Sequence, residues 1–466
     1  MRTDDFVRQV AQRLPLAEAA LRLFDWVGRP EFLDQVFAEH RGRSYEAIIS
    51  FPLLVQLTAD ALLEHQGSGR QSFQRAEEDG ALEATLRAVY GKLGRVPLSL
   101  SMGLLRQTAA RLNQVYPAAV AGSQVPASLR KLAVLFHDGK TIKHVAKRLK
   151  ALKKLAGKVH GGRLVVTQSF STGMAVAMGA SEDGESAEQP LVPDVLRQVR
   201  QAVPGPRLHV GDRQFCDLIQ TARFTAHGDH FLVRWNRRLD FHRDRSRPPQ
   251  QGVDRYGRSY TQDWGWIGKP SDPRRRYVRR IHLRRDADHE DVILLTDLVD
   301  EAAYPADDLL EVYLHRWGIE RMFQQVTEVF HLQTLIGSSP RATVFQASFC
   351  FLLYNLIQVI RAYLARPKQR PLPTISSEQL FYDVQRQLTA WSELLTTRQT
   401  VQLLASTTTA AQVARRLEQL LEGVWSERWR KTPSNTHKSP PPSRNEYPRG
   451  GHTSVYRMIQ KAREGP

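Results

Sequence analysis

The chain has 466 residues, a formal net charge of +18 and a pI near 10.1, with 41% hydrophobic residues. That length excludes a single compact core, and the excess of Lys and Arg suits a polyanionic partner such as nucleic acid. Only Cys216 and Cys350 occur, which excludes a disulfide framework or a Cys-rich zinc site and fits a reducing cytoplasm; the opening Met1-Arg2-Thr3-Asp4-Asp5 lacks an apolar signal core.

Residues 1–128 read as helical, with apolar positions at three- and four-residue spacing in Leu16–Val27, Glu31–Phe37, Tyr45–His65 and Ala81–Leu93. Pro97 and Pro126 punctuate the end of this region. The pattern changes near 130. Lys131–Phe136 reads as a strand, and the lysine-dense 140–158 stretch as an amphipathic basic helix. Arg163–Gln168 and Met174–Met178 come next as strands, then a helix over Asp194–Val203, a strand over Arg207–Val210 and a helix over Phe215–Ala226. Between 231 and 291 the spacing predicts antiparallel strands at Phe231–Trp235, Ser259–Ile267 and Tyr277–Leu283, with Arg-rich loops between them. Val292–Thr296 is a further strand, and Pro305 starts a long helix with Asp307 and Asp308 in its first turn. Ala342–Ala365 is the most apolar stretch, but Gln346, Asn355, Gln358 and Arg361 interrupt it, so it reads as a buried helix and no membrane span is expected. Helices near 378–395 and 398–424 precede a polar, Pro- and Arg-rich tail read as flexible.

Three carboxylates stand out. Asp138 closes the run Leu132–His137, Asp212 ends Leu208–Gly211, and Glu320 lies in the helix begun at Pro305. Two strand ends and a helix can together hold a pair of divalent cations that activate a water or hydroxyl and stabilise a leaving oxygen. At about 100° per residue, Tyr313, Arg316, Glu320 and Gln324 share one stripe of the helix, with Ile319, Phe323 and Val326 on the buried side. Taken singly, each acid has a plainer reading: Asp138-Gly139 is also a turn signal, Asp212 can pair with Arg213, and Glu320 with Arg316 or Arg321. His137 and His315 point away from the acids and are not read as ligands.

At these residues the chain resembles the DDE transposases of bacterial insertion sequences, in the family-four branch of cut-and-paste enzymes. Tyr313, Arg316 and Glu320 match that branch's Tyr-x2-Arg-x3-Glu-x6-Lys helix motif, Asp212-Arg213-Gln214-Phe215 its Asp-Arg-x-Phe pattern, and Asp138-Gly139 its first acid. The resemblance covers roughly 130–365. It departs at Thr327, where the motif has a lysine that helps hold the backbone of the DNA end.

The resemblance implies an α/β fold: an RNase H-like mixed-sheet core, 129–230 and 292–365, split by a β-rich insertion at 231–291. It is flanked by a helical N-terminal DNA-binding domain, 1–128, a C-terminal helical region, 366–430, and a basic flexible tail, 431–466. It further implies two Mg²⁺ or Mn²⁺ per active site held by Asp138, Asp212 and Glu320, and contacts from Tyr313 and Arg316 to double-stranded DNA. The DNA partners are the transposon's terminal inverted repeats and the target, bound by a homodimer in the bacterial cytoplasm. A hairpin mechanism is implied, with a flipped base stacked on an aromatic; Trp235, Trp264 and Trp266 are the candidates. A metal-dependent nuclease without strand transfer, or a catalytically impaired DNA-binding derivative, are the rival readings.

Overall fold

The computed structural model describes residues 3–65, 67–143, 159–285, 290–332, 334, 336–368, 370–431 and 453–464. Most of the lysine-rich 140–158 stretch and residues 432–452 of the tail lie outside the described residues. Lys140 itself, read as the start of a helix, is instead part of a strand.

Helices α1 (Thr3–Arg13), α2 (Pro15–Gly28), α3 (Pro30–His40), α4 (Phe51–Leu63), α5 (Gly69–Glu78), α6 (Leu86–Leu93) and α7 (Leu98–Asn113) come first. Proline opens α2 and α3, where its missing N–H has no partner to lose. Ser50, Ser68 and Thr85 cap α4, α5 and α6 by accepting a backbone N–H. The chain then enters β1 (Ala133–Ile142), β2 (Val159–His160), β3 (Gly162–Ser169) and β4 (Ala175–Ser181), crosses through α8 (Val192–Ala202) to β5 (Arg207–Gly211), and through α9 (Leu218–Thr225) to β6 (His230–Arg234).

These strands lie in the order β4-β3-β1-β5-β6. β1 is antiparallel to β3, and β3 to β4, whereas β1, β5 and β6 are parallel. Three antiparallel strands followed by two parallel ones, with helical crossovers, is the RNase H-like arrangement. β6, expected at the head of the insertion, is its fifth strand.

β7 (Phe241–Arg243), β8 (Gln250–Val253), β9 (Ser259–Ile267), β10 (Arg276–Leu283) and β11 (Val292–Thr296) come after it. They form no separate layer. β11 pairs with β6, and β10, β9 and β7 continue the same sheet, with β8 on β9. Side-chain alternation gives this sheet two cores. Val134 and Phe136 pack with the helical bulk of the protein, and Leu135 packs with Val195, Val199 and Phe224 of α8 and α9 on the other face.

The glutamate segment is not one helix. α10 (Ala306–His315) ends at Arg316, whose N–H bonds the Tyr313 carbonyl three residues back, and α11 (Trp317–Glu328) starts afresh.

α12 (Pro340–Ala365) is long and apolar enough to cross a membrane, but its most apolar window is wholly buried inside the fold. It packs on α7, α2, α4 and α6, and on α13 (Ser377–Leu394) and α15 (Ala410–Leu421), which flank α14 (Thr397–Leu404). The core is therefore continuous from Leu16 to Val455. Buried Glu18 of α2 adds to it, accepting from Arg22 at 2.7 Å and from Arg416 of α15 at 2.8 Å. Residues 453–464, read as part of the flexible tail, form β12 (Thr453–Ser454), paired with β2, and α16 (Val455–Glu464). Val455 is buried and Arg457 pairs with Asp183 and Glu185, which anchors this segment.

Candidate active site

Asp138 lies inside a strand, not at its end. β1 runs on because β3 pairs with it as far as Ile142, whereas its parallel neighbour β5 stops at Gly211. Asp138 thus sits where the parallel ladder finishes. The register pairs Phe136 with Val210; two residues further on, the same register sets Asp212 beside Asp138, on strands roughly 5 Å apart. Asp212 begins a short turn, its Oδ1 accepting from the Gln214 N–H at 2.8 Å. Asp138 Oδ1 accepts from the Gly139 N–H at 2.8 Å.

Glu320 reaches this corner from α11 through Arg316. The Arg316 guanidinium donates to Glu320 at 2.9 Å and stands 3.5 Å from Asp138 Oδ2. Tyr313 is buried beneath it. Arg316 is only 8% exposed, and burial opposes its charge, but Tyr313, Asp138 and Glu320 together hold its pKa above the usual value. Burial pushes the Asp138 carboxyl up to about 7; Arg316 opposes that rise, while Asp212 and Glu188 add to it. Tyr313 is likewise raised, mainly by burial.

Among the described residues no three His, Cys, Asp or Glu side chains converge tightly enough to hold one metal ion. Asp138 and Asp212 stand as a pair, and Arg316 draws Glu320 aside. The donor chemistry nevertheless suits a hard divalent cation, because every candidate donor is a carboxylate oxygen. Arg316 and Arg163 leave the acids only partly compensated. Asp138 is displaced toward its neutral form, and buried Glu188 keeps one carboxylate oxygen without a hydrogen-bond partner.

Two residues beside the acids carried no recognised signal in the sequence. Glu188, in the loop before α8, pairs with Arg163 and lies against Gly139, where a Cβ would sit 1.8 Å from its Oε1. No local pattern marks it. Lys140 follows Asp138 by two residues and so shares its sheet face. Its Nζ stands 5.6 Å from the Phe323 ring, and with Lys143, Arg163 and Thr327 it lines a cleft of about 300 Å³. Thr327 turns its hydroxyl back to the Phe323 carbonyl at 2.7 Å. A cation thus stands beside Thr327, contributed by a strand instead of the helix. Alternation would have marked Lys140 had β1 been read through Asp138.

The three tryptophans differ. Trp264 is fully buried, donates its indole N–H to the Val299 carbonyl at 3.0 Å and lies under Arg247. It is a packing residue, and no base can reach it without local unfolding. Trp235 is partly buried, with its N–H on the Leu239 carbonyl. Trp266 is 37% exposed and stacks under Arg275 at 4.3 Å. His137 points away from the acids, as alternation requires, into a buried chain with Thr167 and His209.

Residues 130–356 match the family described as the transposase DDE domain. A relative from Geobacillus stearothermophilus, named "Probable transposase for insertion sequence element IS5377", is 23% identical over 176 residues, which are 38% of this chain and 45% of the relative. A solved piggyBac transposase synaptic complex with hairpin DNA aligns over 91% of this chain and 88% of that one, at 11% identity and a TM-score of 0.40. Over residues 130–356, a little under half of the chain, the protein is similar to a transposase DDE domain. The matched span takes in Asp138, Asp212 and Glu320.

Proposed function

We propose that the chain cuts DNA at the ends of a mobile element and joins the freed ends to target DNA, with Asp138, Asp212 and Glu320 as the reacting centre. The observation that carries this reading is the Arg316 bridge, which ties the carboxylate of a central strand to that of a helix far along the chain. Asp138 and Asp212, joined by Glu320, would hold Mg²⁺ or Mn²⁺, which supplies charge for activating the attacking oxygen and stabilising the leaving one.

The protein's own groups have separate tasks. Arg316 holds Glu320 in reserve and opposes the neutralisation of Asp138 when no cation is bound. The buried Tyr313 ring fixes the Arg316 stem. Lys140, not residue 327, is the cation that receives a backbone phosphate beside the acids. Cleavage by a cut-and-paste route with a hairpin, by two subunits on paired inverted repeats, is the finer form of the proposal. Among the three candidate rings, Trp266 has the exposure to meet a base.

The test is an assay with labelled element ends and Mg²⁺ or Mn²⁺. Asp138→Ala, Asp212→Ala and Glu320→Ala should each abolish cleavage yet spare DNA binding. Cutting retained in any one of them removes that residue from its role. Cleavage by the unaltered chain without joined products would instead favour a nuclease. Lys140→Ala should weaken end binding, and Thr327→Lys should add little, since a cation already stands there.

A further inference from the structure

Beside α11 lies another cavity, of about 360 Å³, that includes none of Asp138, Asp212 or Glu320. It meets the catalytic strand through Phe136, which shares a sheet face with Asp138 about 7 Å along the strand. Its aromatic wall includes Phe170 and Trp317. Trp317, the first residue of α11, is 59% exposed, a large ring left in water at the cavity wall.

The Lys and Arg residues of this wall meet no acidic one. Arg321, Arg361 and Lys431 line it, and no Asp or Glu does. Arg361 projects from α12, and its guanidinium has only neutral acceptors: Gln358 Oε1 at 2.8 Å, Ser377 Oγ at 3.3 Å and the Leu372 carbonyl. Its Nε is buried without a partner. A largely enclosed cation lacking a counter-charge is costly unless an anion arrives. Burial, with Arg361 and Arg321 adding to it and Glu378 opposing, pulls the Lys431 ammonium down to about 8.

We propose that this cavity binds a nucleotide, its base against Trp317 and its phosphate on Arg361, Arg321 and Lys431. The volume suits one nucleotide. Two sources share that chemistry: a free mononucleotide, or an unpaired nucleotide within a single strand. Only the choice of the strand as the physiological source rests on the DNA-processing reading above. Stacking and a phosphate cluster within one pocket are the elements of single-strand recognition.

The test measures binding to the full chain without divalent cation, so cleavage plays no part. The probes are dAMP, inorganic phosphate, a short labelled DNA single strand, and the same strand with one abasic position. Trp317→Ala and Arg321→Glu alter exposed side chains and should leave the thermal melt unchanged. Each should weaken strand binding roughly tenfold, in line with one lost stacking or phosphate contact. Abasic replacement should weaken the unaltered protein by a similar factor and the Trp317→Ala protein no further. Binding of dAMP with the same dependence on Trp317 identifies a pocket for free nucleotides as well; its absence, with strand binding retained, restricts the source to the strand. Equal affinity for phosphate and dAMP, or strand binding unmoved by both variants, overturns the proposal. Cleavage lost in Asp138→Ala with this binding intact, or the reverse, separates failure here from failure at the acids.

Discussion

Arg316→Ala tests the charge balance of the site most directly. The guanidinium lies between Glu320 at 2.9 Å and Asp138 at 3.5 Å and is nearly buried. Removing one partner of a buried ion pair typically costs about 3–5 kcal/mol. Here Glu320, with a side chain 36% exposed, can turn to water, and Asp138 already titrates at about 7. A loss of about 2 kcal/mol is therefore expected. The sign with pH comes from Asp138. Losing Arg316 removes the charge that lowers the Asp138 carboxyl, so in the variant it titrates above about 7; the deficit grows as pH climbs past about 7 and shrinks below it. Urea unfolding of the variant and the parent at pH ~6 and pH ~8 should show the gap widening with pH. Added Mg²⁺ should stabilise the variant more than the parent, since the ion no longer competes with the guanidinium for carboxylate oxygens. A gap independent of pH, together with an equal response to Mg²⁺, would refute the idea that Arg316 stands in for a cation.

Asp60 provides a second pH test. Burial raises its carboxyl from 3.8 to about 7, with Glu64 adding to the rise and Gln56 opposing it. Folding then holds a proton that the unfolded chain releases, so stability falls as pH climbs from about 4 to 7. At about 1.4 kcal/mol for each tenfold change in proton affinity, the full effect is of order 4 kcal/mol; Asp60→Asn should raise the melting temperature at pH ~8 and leave it nearly unchanged at pH ~4. Gly139→Ala places a methyl against Glu188, which Arg163 holds in place. Chemical unfolding should register a loss of about 1–3 kcal/mol, and Glu188→Ala should relieve it. Trp264→Ala should cost about 3–5 kcal/mol in the same measurement, because the ring is fully buried. Trp266→Ala should leave stability almost intact while weakening DNA contact, and the opposite order would reverse the roles assigned to these rings.

Local pattern reached far into the mixed sheet. Ser259–Ile267 and Val292–Thr296 are strands with the bounds that alternation and β-branched content suggest. The helix over Asp194–Val203 lies within two residues of α8, whose Val195, Leu196 and Val199 make one buried face. Local pattern ends β1 too early, because Asp-Gly is a turn signal by itself. The antiparallel pairing with β3 overrides that preference and carries the strand through Asp138 to Ile142. The break at Arg316 is also hard to see locally, since Gly318 is the one poor helix former beside it and the apolar spacing runs on from Val312 to Val326; it shows as the three-residue bond from Arg316 N–H to the Tyr313 carbonyl.

Composition suited a polyanionic partner, alternation marked individual strands and helices, and the resemblance carried by three spaced acids implied the α/β core, since each of those signals is local and survives without knowledge of neighbours. Contacts between distant segments decided the rest. The sheet runs on from β6 into the Arg-rich region because β11 pairs with β6. The N- and C-terminal helices share one core because α12 is apolar on every side and needs cover all round. Lys140 stands beside Thr327, and Arg361 faces a cavity without a carboxylate, only because a helix from one part of the chain lies on a strand from another. Proximity of that kind is a property of packing, and a one-dimensional pattern does not encode which faces will meet.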